Sequence, residues 1–318
     1  MNAGGESAMN ARGESAMNTA RLEPPVARQG PGPLAQPLLE AIDLAVTRLV
    51  ARMLPGDRRA AGVGVGMELA QLRPYEIGDD VRHIDPAATA RTGQAHVRLH
   101  VPERALTTWL VLDVSPSMAF GTARRLKADV AEGVALVFGR LGVRRAGSVG
   151  LVAFGAGDPR VLPPRGAKPG LVALRRVLAE GVAPDGQHRA DALADALQRV
   201  GRMARQPGLV VTISDFRDQH GWERPLASLR VRHSVLAVEI ADPREAELPA
   251  VGHLALVDPE TGARISIDTS RRRVRERFAE LERRRREVLA REMRRLRIDH
   301  VALATDQDWL LALGRHLR

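Results

Sequence analysis

Apolar residues along this chain follow two rhythms. Short apolar runs stand at 109–112 (Trp-Leu-Val-Leu), within 209–214 (L-V-V-T-I-S) and within 235–240 (V-L-A-V-E-I). Runs of that length, rich in β-branched residues, read as strands buried on both faces. Residues 148–154 and 300–305 add two more strands, and 160–162 a short antiparallel edge strand. Alternation over 94–101 predicts an edge strand leading into the domain that begins at residue 107, and 253–257 with 264–267 flank D-P-E-T-G as a hairpin. Between these runs the period lengthens. Leu38, Leu39, Ile42, Val46, Leu49 and Met53 recur at helical spacing, as do Leu126, Val130, Val134, Val137, Phe138 and Leu141 within 124–141. Further helices are expected at 171–178, from about Ala192, at 222–229, at 271–297 and at 309–317.

Strand and helix alternating from residue 107 onward predict a doubly wound, mostly parallel α/β sheet with a small N-terminal flanking region before it. The expected division is a disordered tail at 1–33, a helix and flank at 34–106, and the sheet domain at 107–318. The tail is rich in Gly, Ala, Pro and Asn, and N-A-G-G-E-S-A-M nearly repeats as N-A-R-G-E-S-A-M. The strands ending at Asp113 and Asp215 should be central neighbours.

The first of those strands runs into Asp113, Ser115 and Ser117, three oxygen side chains at alternate positions. Ligands of open α/β sheets bind at this carboxyl edge, and one carboxylate with two hydroxyls suits a hard cation such as Mg²⁺, Ca²⁺ or Mn²⁺. The same residue types also cap helices, so Ser115 or Ser117 at the start of a helix is the plainer reading. A carboxylate ending a second buried strand, Asp215, is costly unless paired or bound to an ion.

Charge and composition narrow the field. The net charge of +10 invites a nucleic-acid partner. Lys127 and Lys168 are the only lysines, however, and aromatics make up 3%, so arginine bias and few stacking platforms argue against it. In 271–297 the stripe Val274, Phe278, Leu281, Val288, Met293 and Leu296 assigns the arginines to a solvated helix face. Cysteine is absent, no apolar run nears the roughly 20 residues of a membrane span, and no His pair has zinc spacing. The expectation is a cytoplasmic protein with no membrane span and no nucleic-acid partner. A Gly-rich stretch at 62–66 lacks the Lys and Ser/Thr of a phosphate loop.

The segment R-P-Y-E-I-G-D-D-V-R-H-I-D, followed by Arg91 and then by L-V-L-D-V-S-P-S-M-A-F-G, resembles the family called domain of unknown function fifty-eight. Its D-x-S-x-S resembles the metal-ion-dependent adhesion site of von Willebrand factor A domains. The resemblance implies a von Willebrand A-like fold and a non-catalytic, metal-dependent protein-interaction module. It also implies a MoxR-like AAA+ ATPase, or a client offering an Asp or Glu to the metal, as the partner. Asp113, Ser115, Ser117, Asp191 and Asp215 would then be the metal residues, with Mg²⁺ the expected ion. Arg73, Tyr75, Gly78, Asp79, Asp80, Arg82, Asp85 and Arg91 form a signature whose plain reading is a turn and a salt-bridge network. The chain departs from the pattern at Pro86, where tryptophan is usual, and at Asp191, where threonine is usual; many members also carry upstream membrane helices. Asp191 reads equally as an N-cap or as a ligand. As a ligand it would make three carboxylates around one ion. The alternative activities are a phosphohydrolase using Asp113, although Ser115 stands where such enzymes want a second Asp, and an Arg-rich nucleic-acid binder.

Overall fold

In a computed structural model of the chain, residues 27–53, 69–100, 106–144, 147–186, 189, 191–217 and 221–317 are described. Most of the expected tail and the Gly-rich stretch at 62–66 lie outside them. The elements run α1 (Gln36–Met53), β1 (Leu69–Pro74), α2 (Pro86–Thr92), β2 (His96–His100), β3 (Thr107–Asp113), α3 (Lys127–Val143), β4 (Ser148–Phe154) and β5 (Arg160–Gly166). Then come α4 (Ala167–Ala179), α5 (Ala192–Met203), β6 (Gly208–Ser214), α6 (Glu223–Arg230), β7 (Ser234–Ala241), β8 (His253–Val257), β9 (Arg264–Asp268), α7 (Arg272–Arg295), β10 (Asp299–Ala304) and α8 (Trp309–His316).

Six strands form one sheet in the order β10-β7-β6-β3-β4-β5, parallel except for the antiparallel edge strand β5. Alternation along β3 sends Leu110 and Leu112 to a core shared with α1, α3, α4 and α8, and Trp109 and Val111 to a core shared with α5, α6 and α7. The sheet is therefore covered on both faces, as a mostly parallel sheet requires. Burying each such side chain contributes about 1.5–3 kcal/mol.

The N-terminal boundaries differ from those expected. Leu39, Ile42 and Val46 of α1 are buried in the same core as Leu110 and Trp309, so α1 is part of the sheet's core and not a flank. Residues 28–31 also dock, although the reading placed them in the tail. Asp129, buried in the first turn of α3, accepts the Arg28 Nε–H at 3.0 Å and the backbone N–H groups of Gln29, Gly30 and Leu126. The Trp309 indole N–H donates to the Pro31 carbonyl at 3.1 Å. Composition could not show this, because the docking uses backbone groups that every sequence carries.

Strand β2 forms where alternation put it, and it pairs antiparallel with β1 in a two-stranded sheet of its own. Alternation reports a half-buried strand and does not name its neighbour. In α7 the buried face runs through Glu282, Leu289 and Met293, while Leu281 and Val288 are 51% and 52% exposed. The expected stripe holds at Met293 and Leu296 and departs at Leu281 and Val288. Glu282 faces inward because Arg217, Arg285 and Arg286 converge on its carboxylate.

Candidate functional site

Leu112 of β3 pairs with Ile213 of β6, so the two strands stop side by side. Beyond that register the next residues are Asp113 on one strand and Ser214 and Asp215 on the other. The Ser214 hydroxyl donates to Asp113 Oδ2 at 2.5 Å, and the Ser115 backbone N–H donates to Asp113 Oδ1 at 2.9 Å. The Ser115 and Ser117 hydroxyls are hydrogen-bonded at 3.1 Å, and the Ser117 hydroxyl donates to Asp215 Oδ2 at 2.9 Å. The Ser115 backbone N–H and the two serine hydroxyls thus connect the two carboxylates, and all five side chains are buried. The capping alternative is not what these serines do. Ser115 precedes the short 3₁₀ turn at 116–119 without a side-chain cap bond, and the residue that precedes α3 is Leu126.

Sequence reasoning missed a cation at this lip. Lys127, the first residue of α3, is completely buried, with its ammonium 2.7 Å from Asp215 Oδ2 and 2.7 Å from Glu245 Oε1. Arg217 adds a backbone N–H to Asp215 Oδ1 at 3.1 Å and a guanidinium 3.2 Å from Glu245. The two aspartates are consequently unlike. Burial, reinforced by the charge of Asp215, pushes Asp113 up to about 7. Burial acts in the same direction on Asp215, but the Lys127 ammonium, Arg217 and the Ser117 hydroxyl outweigh it and hold that carboxyl at about 2. Burial lowers the Lys127 ammonium, and Asp215 and Glu245 more than restore it. Asp113 is therefore the carboxylate of the pair with no cation beside it.

Asp191 stands apart. It takes a left-handed backbone (φ 60°) before α5, makes no side-chain cap bond, and is exposed on the wall of the groove outside the hydrogen-bonded cluster. Among the described residues no three Asp, Glu or His side chains converge so as to hold a metal ion, so three carboxylates do not surround one point. Two carboxylates and three hydroxyls are instead joined in one hydrogen-bonded cluster.

The lip opens into a groove of about 920 Å³, walled by the β8–β9 hairpin and α7. Its apolar lining includes Phe216 and Trp222, stacked edge to face at 5.8 Å, with Leu256 and Val288 opposite. Glu260, in the hairpin turn, accepts the Ser117 backbone N–H at 3.1 Å.

The residues at 73–91 serve locally. Arg73 pairs with Asp79 at 2.6 Å across a turn in which Gly78 has φ 111°. Asp80 accepts the Arg82 N–H and Asp85 the Ala88 N–H, each capping a short helix, and Pro86 sits at the first position of α2, where its missing N–H costs nothing. The Tyr75 N–H donates to the Ala95 carbonyl at 2.7 Å, while Arg82 and Arg91 are exposed. Among the described residues Arg73 pairs with both Asp79 and Glu76, and Asp80 and Asp85 add two caps to that small network.

A family model described as "Protein of unknown function DUF58" matches residues 71–288, a span that contains both the lip and this local segment. The chain belongs to that family. An uncharacterized protein of Mycobacterium tuberculosis is 39% identical to this DUF58 chain over 282 residues, covering 87% of each. An uncharacterized protein of Mycobacterium avium is 37% identical over 147 residues, 46% of the DUF58 chain and 84% of the relative. Among solved structures the DUF58 chain is similar to the conserved hypothetical protein BatB from Bacteroides thetaiotaomicron. That match has 14% identity and a TM-score of 0.41, and it covers 67% of this chain and 97% of that one. It is also similar to the SpRpn10 VWA domain, with 15% identity, a TM-score of 0.32, and coverage of 43% and 76%. Several arginines of the DUF58 α7 pair with carboxylates of their own helix. Arg272 pairs with Glu276, Arg283 with Glu280 and Glu287, Arg284 with Glu280, and Arg295 with Glu292. Among the described residues no helix is long and apolar enough to cross a membrane.

Proposed function

We propose that this DUF58 chain is a non-catalytic interaction module that grips a partner protein through a divalent cation at the lip of its sheet. The observation that carries the proposal is the buried hydrogen-bonded cluster of Asp113, Ser115, Ser117, Ser214 and Asp215. Every donor there is a hard oxygen, which fits Mg²⁺, with Mn²⁺ or Ca²⁺ as substitutes. Asp113, Ser115 and Ser117 would hold the ion, with Asp215 orienting the serines. Lys127 already offsets the charge of Asp215, so Asp113 is the carboxylate that gains most from a cation. When bound, the ion supplies an electrophilic position that a carboxylate of a second protein can complete. By the family resemblance, that protein is a MoxR-like AAA+ ATPase or a client of one, in the assembly or maturation of protein complexes.

Phosphoryl transfer through Asp113 has less support. Both of its oxygens accept hydrogen bonds, and no carboxylate stands at residue 115 to act as acid. The test is affinity purification from the source cell in Mg²⁺ and in EDTA, with wild type and Asp113→Ala. A partner retained by wild type in Mg²⁺ and lost in the other conditions supports the proposal; a partner retained equally in all of them overturns it.

A further inference from the structure

The β8–β9 hairpin is fastened at its two ends and loose between them. At its base the Val251 N–H donates to Thr269 Oγ1 at 3.1 Å, and the Thr269 N–H and hydroxyl both donate to the Gly252 carbonyl, at 2.7 and 2.8 Å. At its tip the Gly186 N–H donates to the Pro259 carbonyl at 2.9 Å, and Glu260 takes the Ser117 N–H. In between, β8 and β9 pair only with each other. Leu254 is the one fully buried residue of the two strands, and Val257 and Ile265 are 49% and 58% exposed. The turn itself is built from within. Asp258 accepts the Glu260 N–H at 3.0 Å and the Thr261 hydroxyl at 2.6 Å, and its own N–H reaches the Ala263 carbonyl. Such a turn keeps its shape whether seated or lifted.

We infer that Glu260 is the chain's own occupant of the position a partner's carboxylate takes, so that an acidic segment of the partner must displace the hairpin tip to bind. Residue 260 lies 143 positions from Ser117 in the chain, and no local rule brings a carboxylate onto that N–H. Its acceptor oxygen sits on the backbone of the very serine whose hydroxyl bonds Asp215. The bond is charge-assisted, strong enough to hold a loosely packed strap and weak enough to be exchanged for a second carboxylate. The partner segment this predicts carries an Asp or Glu flanked by apolar residues, which the groove lining of Phe216, Trp222, Leu256 and Val288 would receive. The inference rests on the proposed function, since displacement has meaning only if the lip binds a carboxylate.

The test follows hydrogen exchange across the full chain in wild type, Glu260→Ala and Glu260→Gln. Removing the carboxylate should speed exchange of the amides at 254–267 roughly tenfold while the central strands keep their rates, with glutamine intermediate because it retains a neutral acceptor. A labelled pentapeptide with a central glutamate between leucines, in millimolar Mg²⁺, should bind Glu260→Ala several-fold tighter than wild type. Its glutamine twin should bind neither, and saturation with the glutamate peptide should speed hairpin exchange in wild type. Unchanged exchange in Glu260→Ala overturns the inference, as does a peptide that binds both proteins equally or binds wild type without loosening the hairpin. A peptide that binds neither protein overturns displacement together with the carboxylate-binding reading of the lip, and the exchange data then show separately whether Glu260 pins the hairpin.

Discussion

Asp80 and Asp85 each accept a backbone N–H two or three residues away and settle a single turn. Asp113 and Asp215 come from separate strands, are buried together, and are held by three serines, a lysine and an arginine. The side chain is the same, but the physical setting is not. In the local pair a backbone donor a few residues away meets the carboxylate, with Asp80 exposed and Asp85 buried inside its own turn. The remote pair gives up most of its hydration, and only counter-charge and hydrogen bonds offset that loss. The first arrangement is common wherever a helix begins. The second is expensive enough that its persistence points to use.

The widest separation between the two regions should come from Lys127→Met. Removing the ammonium leaves the buried Asp215 without its lysine and the half-buried Glu245 with Arg217 alone, and urea denaturation should record a loss of about 3–5 kcal/mol. A loss under about 1 kcal/mol would place this pair with ordinary surface salt bridges.

Next in size is a pH effect on the metal-free protein. Asp113 titrates at about 7 in the folded chain and near 3.8 when unfolded. The unfolded chain therefore releases that proton first, and stability falls as pH rises from about 4 to about 7, by up to about 4 kcal/mol. Asp215, held at about 2, acts oppositely: its contribution is complete above 3.8 and is lost as pH falls through about 2. Melting temperature against pH in EDTA should show Asp113→Asn flattening the decline toward neutrality. A variant with the wild-type slope would show that burial does not set Asp113 apart.

Asp85→Ala should be milder. A lost cap costs about 1 kcal/mol, and partner capture in Mg²⁺ should be unchanged. A loss of capture would give residues 73–91 a direct part in binding. Smallest of all is the double change Arg283→Ala, Arg284→Ala. Their partners Glu280 and Glu287 are exposed neighbours on the same helix, so thermal stability should hardly move. The salt dependence of any DNA association should stay as shallow as in wild type; a steep slope that falls with these arginines would restore a nucleic-acid role.

Much of this was legible in the chain because it depends on local pattern. The apolar runs of β3 and β6 locate the strands, the alternation of Asp113, Ser115 and Ser117 locates the lip, and Asp215 follows from a carboxylate ending a buried strand. What was not legible depends on tertiary placement. Lys127 lies where periodicity put the second turn of a helix begun at 124, and only the true start of α3 aims its ammonium at Asp215. Its rarity in an arginine-rich chain was the available signal. Glu245 reads as the far member of a capping box begun at Asp242, Glu260 lies in a hairpin turn, and neither place announces a contact with the lip; Asp191 has a left-handed backbone that its residue type permits but does not announce. The buried face of α7 was misplaced at Leu281 and Val288 because an inward glutamate breaks the apolar count, and its reason lies in Arg217 and Arg285.

The capacity of the lip for a hard cation is tested most directly by titrating the full chain with Mn²⁺ and counting bound ions by electron paramagnetic resonance. Wild type should hold a single tight Mn²⁺ that Mg²⁺ displaces, Ser117→Ala should bind it more weakly, and Asp113→Ala should bind none. A wild type that holds no tight Mn²⁺, or an Asp113→Ala chain that holds it equally well, would contradict the assignment of these oxygens to a metal.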